Sequence, residues 1–155
     1  MEEKTISFKD SRFNPDDIPF HDFAKAMAKA YGFNADLPVD TQIAQLTRLR
    51  VAQKNQCSYC VILHTEKARE AGIHSAKIDG ISAWVTSRLY TEKERAVLTY
   101  SDALCKGYDD NFQEKHDALA KFYSTKDIAT FAAIIINMNV WTRLKLAQGA
   151  TPEFD

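Results

Sequence analysis

Two thiols and an imidazole lie close together in the stretch Gln56-Cys57-Ser58-Tyr59-Cys60-Val61-Ile62-Leu63-His64. On a helix turning about 100° per residue, Cys57, Cys60 and His64 fall within a stripe about 60° wide. A cysteine at a helix N-terminus meets unpaired backbone N–H groups and the positive end of the dipole, and both favour the thiolate. The Cys-x-x-Cys spacing also lets the sulfurs close into a disulfide. One thiolate can then attack a peroxide, become a sulfenic acid and be trapped by its neighbour. His64, one turn beyond Cys60, can hydrogen-bond the thiolate or relay a proton. The same three side chains are also three of the four ligands of a structural zinc site. The fourth would have to be His74, His21, His116 or Cys105, none at a finger-like spacing. A third alternative is two core cysteines and a core histidine, and Cys105 alone reads as a small core hydrophobe.

The bulk properties frame that chemistry. The 155 residues fit one domain, which at this size needs no metal or disulfide to fold. A net charge of −1 points away from nucleic acid and membrane surfaces as partners. No apolar run is long enough to span a membrane, and the acidic N-terminus lacks the apolar region of a signal peptide. Three cysteines, an odd and low number, are unlike a secreted disulfide framework, so the expected compartment is the cytoplasm.

The elements that must carry the motif read as helices. Residues 1–18, interrupted by Pro15, form an irregular arm packed through Ile6, Phe8, Phe13 and Ile18. A helical domain follows over 19–150, then a tail over 151–155. Its first helix, from about Pro19 to Tyr31, carries Phe20, Phe23, Ala24, Met27 and Tyr31 at amphipathic spacing, as core or subunit interface. Asp40 caps a second through Lys54, with Ile43, Leu46, Leu49 and Ala52 inside and Arg48 and Arg50 as surface charges. The third starts near Cys57 and stops before Gly72. Ser75 caps a fourth bearing Ile78, Ile81 and Val85. Thr91-Glu92-Lys93-Glu94 is a capping box for a fifth. Asp110 or Asn111 caps a sixth. The seventh, from Ser124 or Thr125 to Gly149, is apolar almost all round from Ile128 to Val140, with Asn137 and Asn139 as structural hydrogen bonders. No β-alternation emerges. The expected class is all-α, one domain, about seven helices.

With these residues in view, a family resemblance follows. Leu49-Arg50-Val51-Ala52, Cys57-Ser58-Tyr59-Cys60, His64-Thr65, Ala68 and Ala71-Gly72-Ile73 resemble the core of the carboxymuconolactone decarboxylase/AhpD-like (alkylhydroperoxidase) superfamily. The segments Thr91–Leu98 and Asn139–Leu144 agree in order and spacing, so the match spans roughly residues 37–147. The resemblance implies an all-α AhpD-like domain assembled as a homo-oligomer, a trimer or hexamer. It implies thiol-dependent reduction of alkyl hydroperoxides or hydrogen peroxide, with an external thiol or dithiol as reductant and no cofactor. By the family pattern Cys60 is the peroxidatic thiol, Cys57 the resolving one, and His64 part of the proton relay. The decarboxylase branch generally lacks the cysteine pair; under that alternative Arg48 or Arg50 would bind the carboxylate of a small lactone acid. Two positions depart from the peroxidase pattern. Gln45 stands where a glutamate helps deprotonate the thiols, and Tyr59 where a histidine is found. Neither is a base near neutral pH. Loss of a general base typically costs ~10²–10⁴ in rate, so the expectation is a weak or differently tuned peroxidase with His64 as the main base.

Overall fold

The computed structural model describes residues 2–155. Seven α-helices account for most of it: α1 (Phe20–Tyr31), α2 (Thr41–Lys54), α3 (Ser58–Glu70), α4 (Ser75–Asp79), α5 (Glu92–Lys106), α6 (Phe112–Ala120) and α7 (Thr125–Gln148). This is the all-α, single-domain architecture of about seven helices that the helical periodicity predicts. No helix among the described residues is long and apolar enough to cross a membrane.

The helix starts follow from short polar side chains that satisfy backbone N–H groups otherwise left open. Asp40 accepts from the Ile43 N–H at 2.9 Å, and Ser124 from that of Asp127 at 3.1 Å. Thr91 and Glu94 close a reciprocal capping box at 3.2 and 2.7 Å. α2 and α7 form the centre, with α3 and α5 packed on α2 and α1 on α7. One core cluster joins Val51 and Ala52 of α2 to Cys57, Cys60, Val97 and the inner face of α7 around Phe131 and Ile134. A second gathers Leu46, Leu49, Ala68 and Trp84 on the far side of α2.

Several expectations are corrected. α2 has no solvent face from Ala44 to Ala52, so Arg48 is 2% exposed and Arg50 9%; neither is a surface charge. Arg50 instead grips Asp102 of α5 through Nε and Nη2 at 2.7 and 2.9 Å, and Trp84 Nε1 donates to the same carboxylate at 3.3 Å. His74, not Ser75, caps α4: its Nδ1 accepts from the Ala76 N–H at 3.1 Å. The helix stops at Gly80, a 3₁₀ segment over Ile81–Thr86 follows, and Val85 faces solvent. The arm and tail are not irregular throughout. β1 (Ile6–Asp10) and β2 (Ala150–Phe154) pair antiparallel, Phe8 opposite Pro152. Gly149, with φ 73°, makes the left-handed turn that swings the chain from α7 into β2. Five-residue strands held by one partner give little periodic signal, which is why they escape a sequence reading.

Candidate functional site

The corner between α2 and α3 places the cysteines. Asn55 Nδ2 donates to Asn139 Oδ1 and Thr142 Oγ1 of α7, both at 2.9 Å, which pins the corner to the central helix. Gln56 adopts φ 52°, a left-handed conformation rare for a residue with a side chain. The reversal leaves Cys57 extended, at φ −89° and ψ 104°, as the N-cap of α3. Cys57 therefore sits just outside the helix, and its Sγ turns back to accept the Cys60 N–H at 3.4 Å. Cys60 and His64 follow on the first and second turns. Both cysteines are free and 2% exposed.

The two thiols differ sharply. Cys57 is lowered to about 7, chiefly because Cys60 donates its S–H to it, with the Cys60 and Tyr59 N–H groups and the Lys145 charge assisting against burial. Cys60 is pushed up, because its proton is the one shared and because a second charge beside the first is unfavourable in a buried site. The pair thus takes up a single negative charge around pH 7. His64 is driven down to about 3 by burial and then by the nearby Arg48 and Lys67 charges. It is a neutral imidazole and a poor proton acceptor, contrary to its expected place as the main base; its Nδ1 has no partner among the described residues.

Gln45 of α2 is engaged at both ends of its amide. Its Nε2 donates to the Phe33 carbonyl at 3.0 Å, and its Oε1 accepts from Arg48 Nη1 at 2.9 Å. Arg48 Nη2 donates to the Tyr31 carbonyl at 3.0 Å. A glutamate at position 45 would neutralise Arg48. The glutamine leaves that buried cation without a carboxylate, and burial lowers it to about 10. Phe33, held by this network, meets the His64 ring edge-on at 5.9 Å. Tyr59 has Phe8 of β1 against its ring at 4.7 Å and Lys145 Nζ over it at 4.5 Å. Its phenol is raised above the usual value by burial and the cysteines' charge, so it is no base near neutral pH.

Cys60, His64 and Tyr59 open on a cavity of about 580 Å³ between α1, α3 and α7. Its wall includes Lys25, Lys29, Phe33, Asn137, Trp141 and Lys145, which the sequence reading did not assemble. Asn137, Trp141 and Lys145 recur every four residues along α7, a polar stripe on a mostly apolar helix, and that period was the available signal. Asn139 is a structural hydrogen bonder as expected, but Asn137 is not: its Oδ1 is buried without a partner. Arg48 and Arg50, the arginines assigned to a lactone carboxylate under the decarboxylase alternative, are engaged with Gln45 and Asp102. Nor do three His, Cys, Asp or Glu side chains converge as a metal-holding group among the described residues. Of the suggested fourth ligands, His21 bonds Asp16 at 3.0 Å, His74 caps α4, and Cys105 borders a different cavity, near Asp102 and Lys106.

Comparison with known proteins agrees with this architecture. The chain is 26% identical over 129 residues to the uncharacterized protein YdfG of Bacillus subtilis (strain 168), covering 81% of this chain and 86% of YdfG. An Agrobacterium tumefaciens protein of unknown function, provisionally an AhpD antioxidant-defence protein, superposes with a TM-score of 0.81 at 25% identity, over 90% of this chain and 96% of the other. The alkylhydroperoxidase AhpD core of an uncharacterized peroxidase-related protein from Ralstonia eutropha JMP134 shares the fold, with a TM-score of 0.75 at 20% identity, over 90% and 72% of the two chains. The model of the carboxymuconolactone decarboxylase family matches residues 21–103, more than half of the sequence. With the helical frame and the Cys57–Cys60 corner inside or beside that match, the chain belongs to the carboxymuconolactone decarboxylase family, in its AhpD-like superfamily.

Proposed function

We propose that this chain is a thiol-dependent peroxidase that reduces organic hydroperoxides or hydrogen peroxide through Cys57 and Cys60. The observation that carries the reading is a pair of reduced cysteines sharing one charge at the start of α3, with one of them on the wall of a cavity. Cys60 is the attacking sulfur because it lines the cavity, whereas Cys57 does not. The Cys57 thiolate already accepts the Cys60 S–H hydrogen bond, and it takes that proton as Cys60 attacks. The Cys60 thiolate attacks the terminal peroxide oxygen, the O–O bond breaks, and Cys60 becomes a sulfenic acid. The departing alkoxide takes the proton from Cys57 and leaves as the alcohol. The regenerated Cys57 thiolate attacks the Cys60 sulfur, and hydroxide leaves with one solvent proton as water. The two electrons come from the thiols, and an external thiol or dithiol restores them. His64, neutral, hydrogen-bonds the peroxide oxygens and does not carry the proton load. The same reading places the chain in a homo-oligomer, a trimer or hexamer, in which the exposed Phe20 and Phe23 of α1 meet another copy.

The test is turnover of cumene hydroperoxide with excess dithiol, comparing the wild type with Cys60→Ser and Cys57→Ser. Turnover lost in both, with peroxide removing the two thiol hydrogens from the wild type as a disulfide, is the expected result. Full activity in Cys60→Ser, or thiols untouched by excess peroxide, would overturn the reading.

A further inference from the structure

The cavity beside Cys60 is charged in one sense only. Lys25, Lys29 and Lys145 line it, and no aspartate or glutamate does. Arg48 and Lys67 stand close enough behind it to depress His64. Asp22, outside the lining, pairs with Lys25 at 3.3 Å in an exposed and therefore weak contact, while Lys29 has no ion pair among the described residues. Lys145 is turned to the thiol pair, its Nζ over the Tyr59 ring. One shared thiolate balances one of these cations and leaves Lys29 without an anion and Lys25 with only the exposed Asp22. The buried wall is unfinished in the same place. His64 Nδ1, Asn137 Oδ1 and Trp141 Nε1 are buried polar atoms with no hydrogen-bond partner, and all three residues line the cavity. Such atoms are costly to leave open, and in a pocket the polar groups of a ligand or of ordered water satisfy them. Between them the wall is apolar, formed by Ala28, Phe33, Leu63 and Met138. A space of about 580 Å³ with an apolar body, a few convergent polar groups and a cationic rim is shaped for one compact organic anion.

Resting on the peroxidase reading, we propose that the substrate is an organic hydroperoxide bearing a carboxylate. The acid group is held at the Lys25 and Lys29 rim, the apolar body packs on Phe33, Leu63 and Met138, and the peroxide lies at Cys60 between His64 and Asn137. The two-electron step is the one given above, and the carboxylate takes no part in it beyond binding. The glutamine at position 45 belongs to the same design, since a glutamate there would cancel the Arg48 charge behind the pocket.

A matched pair tests this: cumene hydroperoxide carrying a ring carboxylate, against its methyl ester, with dithiol in excess. The acid should exceed the ester about tenfold in kcat/KM, the size of one charge-assisted contact. The preference should shrink with added salt and fall towards unity in Lys25→Met/Lys29→Met, whose two side chains are exposed and should not disturb folding. Equal use of acid and ester by the wild type, or an unchanged ratio in the double variant, would overturn the proposal. If neither compound is consumed, the peroxidase reading fails. Calorimetric binding of 4-isopropylbenzoate and its methyl ester to the reduced protein then decides the charge preference by itself. Acid-selective binding weakened by the lysine substitutions upholds the anionic ligand class, and binding of both alike, or of neither, rejects it.

Discussion

A single proton shared by Cys57 and Cys60 sets the site's behaviour, and it is measurable at the level of individual groups. Thiolate absorbance near 240 nm should rise by one sulfur's worth around pH 7, with the second sulfur ionising only far above that. Removing the donor in Cys60→Ala should return Cys57 towards an ordinary thiol. Lys145→Met should move the midpoint upward as well, because the cation that favours the thiolate is gone, and Lys145→Arg should restore it. An unmoved midpoint in Lys145→Met would mean that the lysine only packs on Tyr59. His64 gives a second pH signature. Its folded value of about 3 lies below the unfolded 6.5, so between these values the unfolded chain binds a proton that the folded one does not. Stability from this group is complete above pH 6.5 and falls as the pH drops towards 3. At pH 4.5 the loss amounts to about 2–3 kcal/mol, at 1.36 kcal/mol for each unit between 6.5 and 4.5. Urea midpoints at pH 7 and 4.5 should diverge in the wild type and converge in His64→Asn.

At the scale of elements, the helices were legible wherever a cap and an apolar period agreed. Asp40, Thr91 with Glu94, Ser124 and Gly149 each mark a boundary in the sequence, and each does so in the fold. The cysteine–histidine stripe was legible too, because its spacing is local. What escaped was non-local. Nothing in the periodicity of α2 says that Arg48 and Arg50 are buried, because the partners that draw them in include Tyr31 and Asp102, outside α2. The cavity escaped for the same reason: its wall comes from three helices, and only packing brings Lys29, Cys60 and Trp141 together. The Arg50–Asp102 pair joins α2 to α5 with two hydrogen bonds, both side chains mostly out of water. Arg50→Ala leaves that carboxylate with Trp84 Nε1 alone, and should destabilise the fold by about 2–4 kcal/mol. Denaturant unfolding measures it, and Arg50→Ala/Asp102→Ala should recover part of the loss, since no unpaired charge remains.

At the scale of the whole molecule, the chain's two ends and its first helix bear on the site from outside the core. β1 and β2 tie residues 6–10 to 150–154, and Phe8 reaches from that sheet to the Tyr59 ring beside the thiols. α1 supplies the cavity with Lys25, Ala28 and Lys29, while a different part of its circumference carries Phe20 and Phe23, the latter 74% exposed. Burying two phenylalanine side chains is worth roughly 1.5–3 kcal/mol each, so leaving them in water is a cost that a second copy would remove. In the proposed homo-oligomer, the contact that covers these rings also fixes the helix bearing the lysine rim. Phe20→Glu/Phe23→Glu should therefore sediment as a single chain where the wild type sediments as an assembly. It should keep its helical circular dichroism, because neither ring is part of the core of one chain. Hydroperoxide turnover in the dispersed variant should show a raised KM with the Cys57 midpoint unchanged, since α1 shapes the binding wall and the thiol pair belongs to α3. A wild type that sediments as one chain would remove the oligomer and leave the α1 phenylalanines without a covering partner. A variant that disperses with KM unchanged would show the lysine rim to be rigid on its own.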